Sequence, residues 1–239
     1  ELRAMNGIYA PTLNRKRIAR MRKAGFRELN LSLGSCDQDQ TRRFRRPYVR
    51  DAFDRVLGWA EALDLSAVGY IIAGAPAQDP LSSVRDLLFL ASRRVLVGLS
   101  IYYPAPASQD FSYCQERGVL PSSPLCWRST ALPLDHMTGS NASLTLMRLS
   151  RLLNFIKQCM DKDGFLPSPE PFPHHKPEVP PNRHEMGRQL LSWFLADGII
   201  RGIGQHGGIV NHITDNRLTR SFLEGLQEIS IRGARRRQQ

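Results

Sequence analysis

Through the first hundred residues short apolar, β-branched runs alternate with helical patterns, and this alternation restricts the fold more than any other feature of the chain. The runs lie at residues 2–5, 28–33, 67–73 and 95–101. The first is closed by Asn6-Gly7. Between the first two, Thr12 or Asn14 caps a helix to Ala24, with Gly25 at its C′ position. A helix over 47–63 follows the second run, with Pro47 in its first turn and Phe53, Val56, Leu57 and Ala60 on one face. A helix over 81–93 separates the third and fourth. Strand and helix in strict turn, with short links, imply parallel strands joined by right-handed crossovers.

That pattern admits a doubly wound sheet or a (β/α) barrel. No Gly-rich phosphate loop follows the first strand, which counts against a dinucleotide fold. A closed barrel needs roughly 250 residues in eight units, so the expectation is an α/β, incomplete (β/α) TIM-like barrel of about four parallel strands over residues 1–118. Beyond Gly118 the pattern changes. Residues 119–163 read as a Pro/Ser-rich loop to 140 and then a long helix over 142–160, capped by Asn141 and packed on the barrel. The proline-rich stretch 164–182 reads as a linker. Residues 183–232 are expected to form a small, mainly helical C-terminal domain, a hairpin between helices over 184–196 and 216–229, and 233–239 a basic tail.

Composition narrows the function classes. No apolar run reaches the ~18 residues a membrane span needs, and no signal segment opens the chain, so a cytoplasmic protein is expected. Four dispersed cysteines, Cys36, Cys114, Cys126 and Cys159, suit a reduced compartment and make neither a disulfide framework nor a zinc motif. The net charge of +11 is almost entirely arginine. It is read first as the composition of an arginine-rich, high-GC proteome; an RNA partner is the alternative, not favoured because the cluster Arg42, Arg43, Arg45, Arg46 holds Phe44 alone as an aromatic. The tail arginines 235–237 read as solvated.

Familiar catalytic motifs are missing. Residues 202–207 formally match G-x-G-x-x-G, but they lie between two apolar runs and read as the turn of a hairpin. His174, His175 and His184 lack the spacing of a metal motif. What remains is a row of strand ends: Asn6-Gly7, Gly34-Ser35, Gly74-Ala75-Pro76 and Tyr103-Pro104. In parallel α/β folds such ends share one face, where ligands bind, and Arg46 stands near to pair a carboxylate.

At these residues the sequence resembles the radical S-adenosylmethionine superfamily, particularly members with a cobalamin-binding N-terminal domain. The stretches that carry the resemblance are "NGIYAPTLN", "KAGFRELNLSLGS", "RRPYVRDAF", "GYIIAGAPAQD" and "IYYPAPASQDF", in the family's order and spacing, with "LTLMRLSRLLNFIKQ" similar to a helix that follows the barrel. The resemblance covers roughly residues 2–160. It implies that Gly34-Ser35 lies beside the ribose of S-adenosylmethionine and that Arg46 pairs the methionine carboxylate. Ile71, Ile72 and Gly74 would line the adenine, with Tyr103-Pro104 closing the far wall. Full-length relatives generate a 5′-deoxyadenosyl radical at a [4Fe-4S] cluster held by Cys-x-x-x-Cys-x-x-Cys. That motif does not occur here. The resemblance therefore implies the C-terminal half of such a barrel, not catalytic and without a cluster on its own, and completed by a missing N-terminal half or a partner chain; cobalamin would come with a missing N-terminal domain. A chain that opens on Glu1 agrees with processing or truncation. The competing expectation is a non-catalytic basic RNA-binding or scaffold module.

Overall fold

The structure is a computed structural model and describes residues 2, 4, 7–126, 138–174, 177, 180–204 and 207–235. Its regular elements, in chain order, are β1 (Ile8–Tyr9), α1 (Arg15–Lys23), β2 (Glu28–Gly34), α2 (Gln38–Arg43), α3 (Arg50–Ala62), β3 (Ser66–Ala73), α4 (Pro80–Ala91), β4 (Leu96–Ile101), α5 (Gln109–Glu116), α6 (Gly139–Lys162), α7 (Arg183–Asp197), β5 (Arg201–Ile203), β6 (Ile209–Asn211) and α8 (Asn216–Gln227). Side-chain caps start most of the helices. Asn14, Asp37, Asp79, Ser108, Asn182 and Asp215 each accept from a backbone N–H in the first turn of the helix that follows.

The strands β1 to β4 form one parallel sheet in sequential order. Sequential order combined with crossovers of one hand puts the connecting helices on a single face. The packing agrees: α3 lies against β2 and β3, α4 against β3 and β4, and α6 against β4. Burial along β3 alternates accordingly, with Ala67, Gly69, Ile71 and Ala73 buried under the helices and Val68, Tyr70 and Ile72 half-buried on the other face. Gly69 is glycine because a Cβ there would sit 2.9 Å from Phe53 and 3.0 Å from Leu90. On the opposite face the Tyr70 ring fills the space over Gly98. The sheet is thus an α/β sector, roofed by helices on its outer side. Among the described residues no helix is long and apolar enough to cross a membrane.

Several expectations need correction. The first ladder does not close at Asn6-Gly7: Leu2 makes one parallel bridge to Phe26, and pairing resumes at Ile8, beyond Gly7. Residues 3 and 5 of that expected strand, and Asn6 after it, lie outside the described ones. Pro47 is not in a helical first turn, because α3 begins at Arg50. Two short helices were not expected. The residues of α2, Gln38–Arg43, are wholly polar, so it has no apolar period to read; α5 is two turns started by the Ser108 cap. Asn141 is inside α6 and does not cap it; Thr138 stands at that end without a side-chain capping bond. The expected loop 119–140 contains a 3-10 turn at Pro124–Cys126, and its residues 127–137 lie outside the described ones.

Larger corrections concern the C-terminal half. The stretch 164–182 is strapped to α7: Glu170 N donates to Ser192 O, Ser192 Oγ donates to Ser168 O, and Phe172 meets Trp193 edge to face at 4.9 Å. Residues 183–232 share the sheet's core, since Leu191, Phe194, Leu218, Phe222 and Leu226 belong to the same buried cluster as Phe53, Leu87 and Leu146. Helix α8 packs on α4 and α6. The hairpin expected after α7 is present as antiparallel β5–β6, with residues 205 and 206 of its turn outside the described ones. Arg235, expected in a solvated tail, donates its backbone N–H to Asp161; residues 236–239 are not described.

Candidate functional site

Parallel pairing brings the carboxyl ends of β2, β3 and β4 to one edge, and the loops there are knit to one another. At the end of β2 the chain turns through Gly34, with φ +77°, and a Cβ at this position would meet nothing within 4 Å. Open space and a left-handed backbone together make Gly34 suited to a close ligand. Ser35, next along, points elsewhere. Its Oγ donates to Asp86 Oδ2 at 2.8 Å and accepts from Asp37 N at 3.0 Å, while Cys36 N donates to Asp86 Oδ1 at 2.6 Å. Asp86, on α4, is fully buried, and desolvation raises its pKa to about 7 despite those hydrogen bonds. The Ser35 hydroxyl is thus committed to Asp86 and Asp37.

At the end of β3, Gly74 also has a left-handed backbone, φ +78°. Its missing Cβ leaves room for protein: Ser143 Oγ of α6 would lie 3.1 Å from a Cβ there. The turn beyond is held by Gln78, which accepts from Ala75 N and donates to Ile72 O and Ser83 Oγ. Thr138 Oγ1 closes the knot by donating to Gln78 O. Ile71 is fully buried on the helix-facing side, while Ile72 faces the open side. Only one of these two side chains can meet a ligand on the open face.

At the end of β4 the Tyr102 hydroxyl donates to Asp110, which, with burial, pushes its pKa up. The Tyr102 ring stacks on Phe44 at 6.2 Å. The Tyr103 hydroxyl is buried without a partner and Pro104 is buried beside it. Helix α2 lies across this edge, with Arg43 Nη1 donating to Ala77 O and Arg45 Nη2 to Gln109 Oε1. Arg46 is exposed, and its backbone N–H closes the turn on Thr41 O. The structure thus brings Gly34, Ile72 and the Tyr103–Pro104 pair to the strand edge. Ser35, Ile71 and Gly74 serve the packing around it. Asp86 and Gln78, which position the two loops, were missed in the sequence; both are polar residues in or before an otherwise apolar helix, and that contrast was the available signal.

A second concavity of about 480 Å³ lies on the outer, helical side, lined by Cys36, Arg50, Arg85 and Arg93 around Phe89. The Phe89 ring is held between the Arg50 and Arg93 guanidinium carbons, 4.8 and 3.7 Å from its centroid. Burial and the neighbouring Asp86 push the Cys36 thiol up, so it stays protonated and unreactive. Three cysteines for an iron–sulfur cluster are not brought together: Cys36 follows β2, Cys114 is on α5, Cys126 closes the 3-10 turn and Cys159 is near the end of α6. The chain matches no family model and no curated protein.

Proposed function

We propose that this chain supplies one sector of a radical S-adenosylmethionine-type barrel, contributing an adenosine-facing strand edge and requiring a second half or partner chain to act. The observation that carries the reading is the sheet itself, four parallel strands in sequential order with helices on one face and an open face on the other. Gly34, with empty room above it, and Ile72 on the open face would receive the nucleoside; the buried Tyr103 hydroxyl lacks a partner that a ligand could provide. The iron–sulfur cluster does not fit this chain's dispersed cysteines, so on this reading no step through it belongs to these residues. A reduced, cytoplasmic setting suits four cysteines without a disulfide.

S-adenosylhomocysteine is the suitable probe, being a stable analogue of the implied ligand. Saturation-transfer NMR on the chain should show contacts to the adenosine protons that vanish in Ile72→Glu. A signal unchanged by Ile72→Glu, or none at millimolar ligand, overturns the reading. A second reading is single-stranded RNA binding by α2, favoured by the Phe44–Tyr102 stack beside Arg42, Arg43 and Arg46. The two rings stack on each other, so that reading is the weaker one.

A further inference from the structure

The last turn of α6 and the first turn of α7 meet at a cluster that the strand-edge reading leaves unused. Cys159 and Asp163 are four residues apart and share one face of the helix end. His184 is the second residue of α7 and is positioned by Asn182, whose side chain accepts from its backbone N–H. The Cys159 sulfur, a carboxylate oxygen of Asp163 and a ring nitrogen of His184 all lie within 4.8 Å of one another. His184 Nε2 is 3.0 Å from Asp163 Oδ2. The other ring nitrogen, Nδ1, is buried with no hydrogen-bond partner. The imidazole is held in place by the Phe155 ring at 5.8 Å. With Nε2 turned to the Asp163 carboxylate, it is Nε2 that faces the cluster.

We propose that Cys159, Asp163 and His184 form a site for one divalent cation of the zinc class, joining α6 to α7. Ligand chemistry selects the ion: one thiolate, one imidazole and one carboxylate suit borderline-soft Zn²⁺ and not the all-oxygen cages of Ca²⁺ or Mg²⁺. At Zn–ligand distances of about 2.0–2.3 Å, tetrahedral donors lie about 3.3–3.8 Å apart, so the widest separation closes by about 1 Å on binding. Binding forms the sulfur–metal and Nε2–metal bonds: the Cys159 S–H proton leaves to solvent, and the proton His184 holds toward Asp163 moves to Nδ1. Arg188, hydrogen-bonded to the sulfur, and Lys162 bring positive charge to it. Arg188 Nη1 donates to Asp163 Oδ2 at 2.6 Å and stays outside the ion, holding the carboxylate in place. The thiolate and carboxylate neutralise the two positive charges of the ion. Three protein ligands leave a fourth position for water, reached on the side where the His184 and Asp163 side chains are 13% and 20% exposed.

Cobalt is the probe, because a thiolate bound to Co²⁺ gives an intense near-ultraviolet charge-transfer band and a tetrahedral site strong visible bands. The reduced, metal-free full chain titrated with Co²⁺ should show both, saturating at one equivalent and displaced by Zn²⁺. Cys159→Ser should lose the charge-transfer band, and His184→Gln should weaken Co²⁺ binding at least tenfold. His184 is partly exposed at a helix start, so its replacement leaves the fold intact; circular dichroism checks this. Zn²⁺ should also raise the melting temperature of the parent chain and not of His184→Gln. Absence of the charge-transfer band at stoichiometric Co²⁺ overturns the proposal, as does a band that survives Cys159→Ser or a zinc-induced stabilisation that His184→Gln retains. None of these readouts depends on the strand edge, so failure here leaves the adenosine reading standing.

Discussion

Asp86 holds a structural post at the expense of its own ionisation. It accepts from Ser35 and Cys36 and so fixes the turn after Gly34, yet burial holds its pKa near 7. Between the ordinary carboxyl value of about 4 and about 7, the folded chain keeps a proton that the unfolded chain has lost. Stability contributed by this group is therefore greatest below pH 4 and declines as pH rises to 7. Asp86→Asn should flatten that decline, measured by urea unfolding at pH 4, 5.5 and 7. Glycines make the companion test. Gly69→Ala drives a Cβ into Phe53 and Leu90 and should destabilise by about 1–3 kcal/mol. Gly58→Ala, in α3 with open space around it, should stabilise by about 0.5–1 kcal/mol. Thermal melts of the two variants give the pair of signs. At this scale the sequence told little: Gly34 and Gly74 look alike as strand-ending glycines, but one faces open space and the other faces Ser143 of a helix about seventy residues on. Only the long-range packing of α6 separates them.

Among the elements, α4 is the best connected, lying against β3 and β4 on one side and α6 and α8 on others. Its carboxyl end is finished by Lys157 of α6, a fully buried lysine whose Nζ donates to Ala91 O, Arg93 O and Arg232 O. Burial lowers its pKa to about 7, while three carbonyl acceptors at a helix end favour the ammonium. Lys157→Met keeps the length and leaves three buried carbonyls short of a donor. It should destabilise by about 2–4 kcal/mol, read from the urea midpoint at constant slope. The helices and strands that the sequence made legible, α1, α3, α4, α6, α7, α8, β2, β3, β4 and the β5–β6 hairpin, are mostly those with an apolar pattern and a cap or glycine at an end. The polar α2 was not legible because it is fixed by the Asp37 cap and by arginine contacts to loops distant in sequence. The strap at 164–182 was misread for a related reason: proline content describes backbone stiffness, and what Phe172 finds to pack on is decided by α7.

At the scale of the whole molecule, one face of the sheet lacks helices among the described residues. Tyr9 at 42% exposed, with Val68, Tyr70 and Ile72 half-buried, places apolar surface beside the edge strand β1. The chain should bind a hydrophobic dye and self-associate at low salt, and Ile72→Lys should reduce both without lowering the melting temperature by more than a few degrees. A monomer that binds no dye, measured by light scattering and fluorescence, would mean that this face is already covered. The same open face carries the proposed function, so covering it by a partner and occupying it with nucleoside are coupled events. The Lys157 ammonium has a consequence in time as well as in space. Its carbonyl partners lie 66 residues before it at Ala91 and 75 residues after it at Arg232. During synthesis at about 5–20 residues per second, the lysine waits about 4–15 s for its third acceptor. In that interval the nascent sheet has strands but its latch is incomplete, and a chaperone has a few seconds in which to engage a fold that has not yet locked.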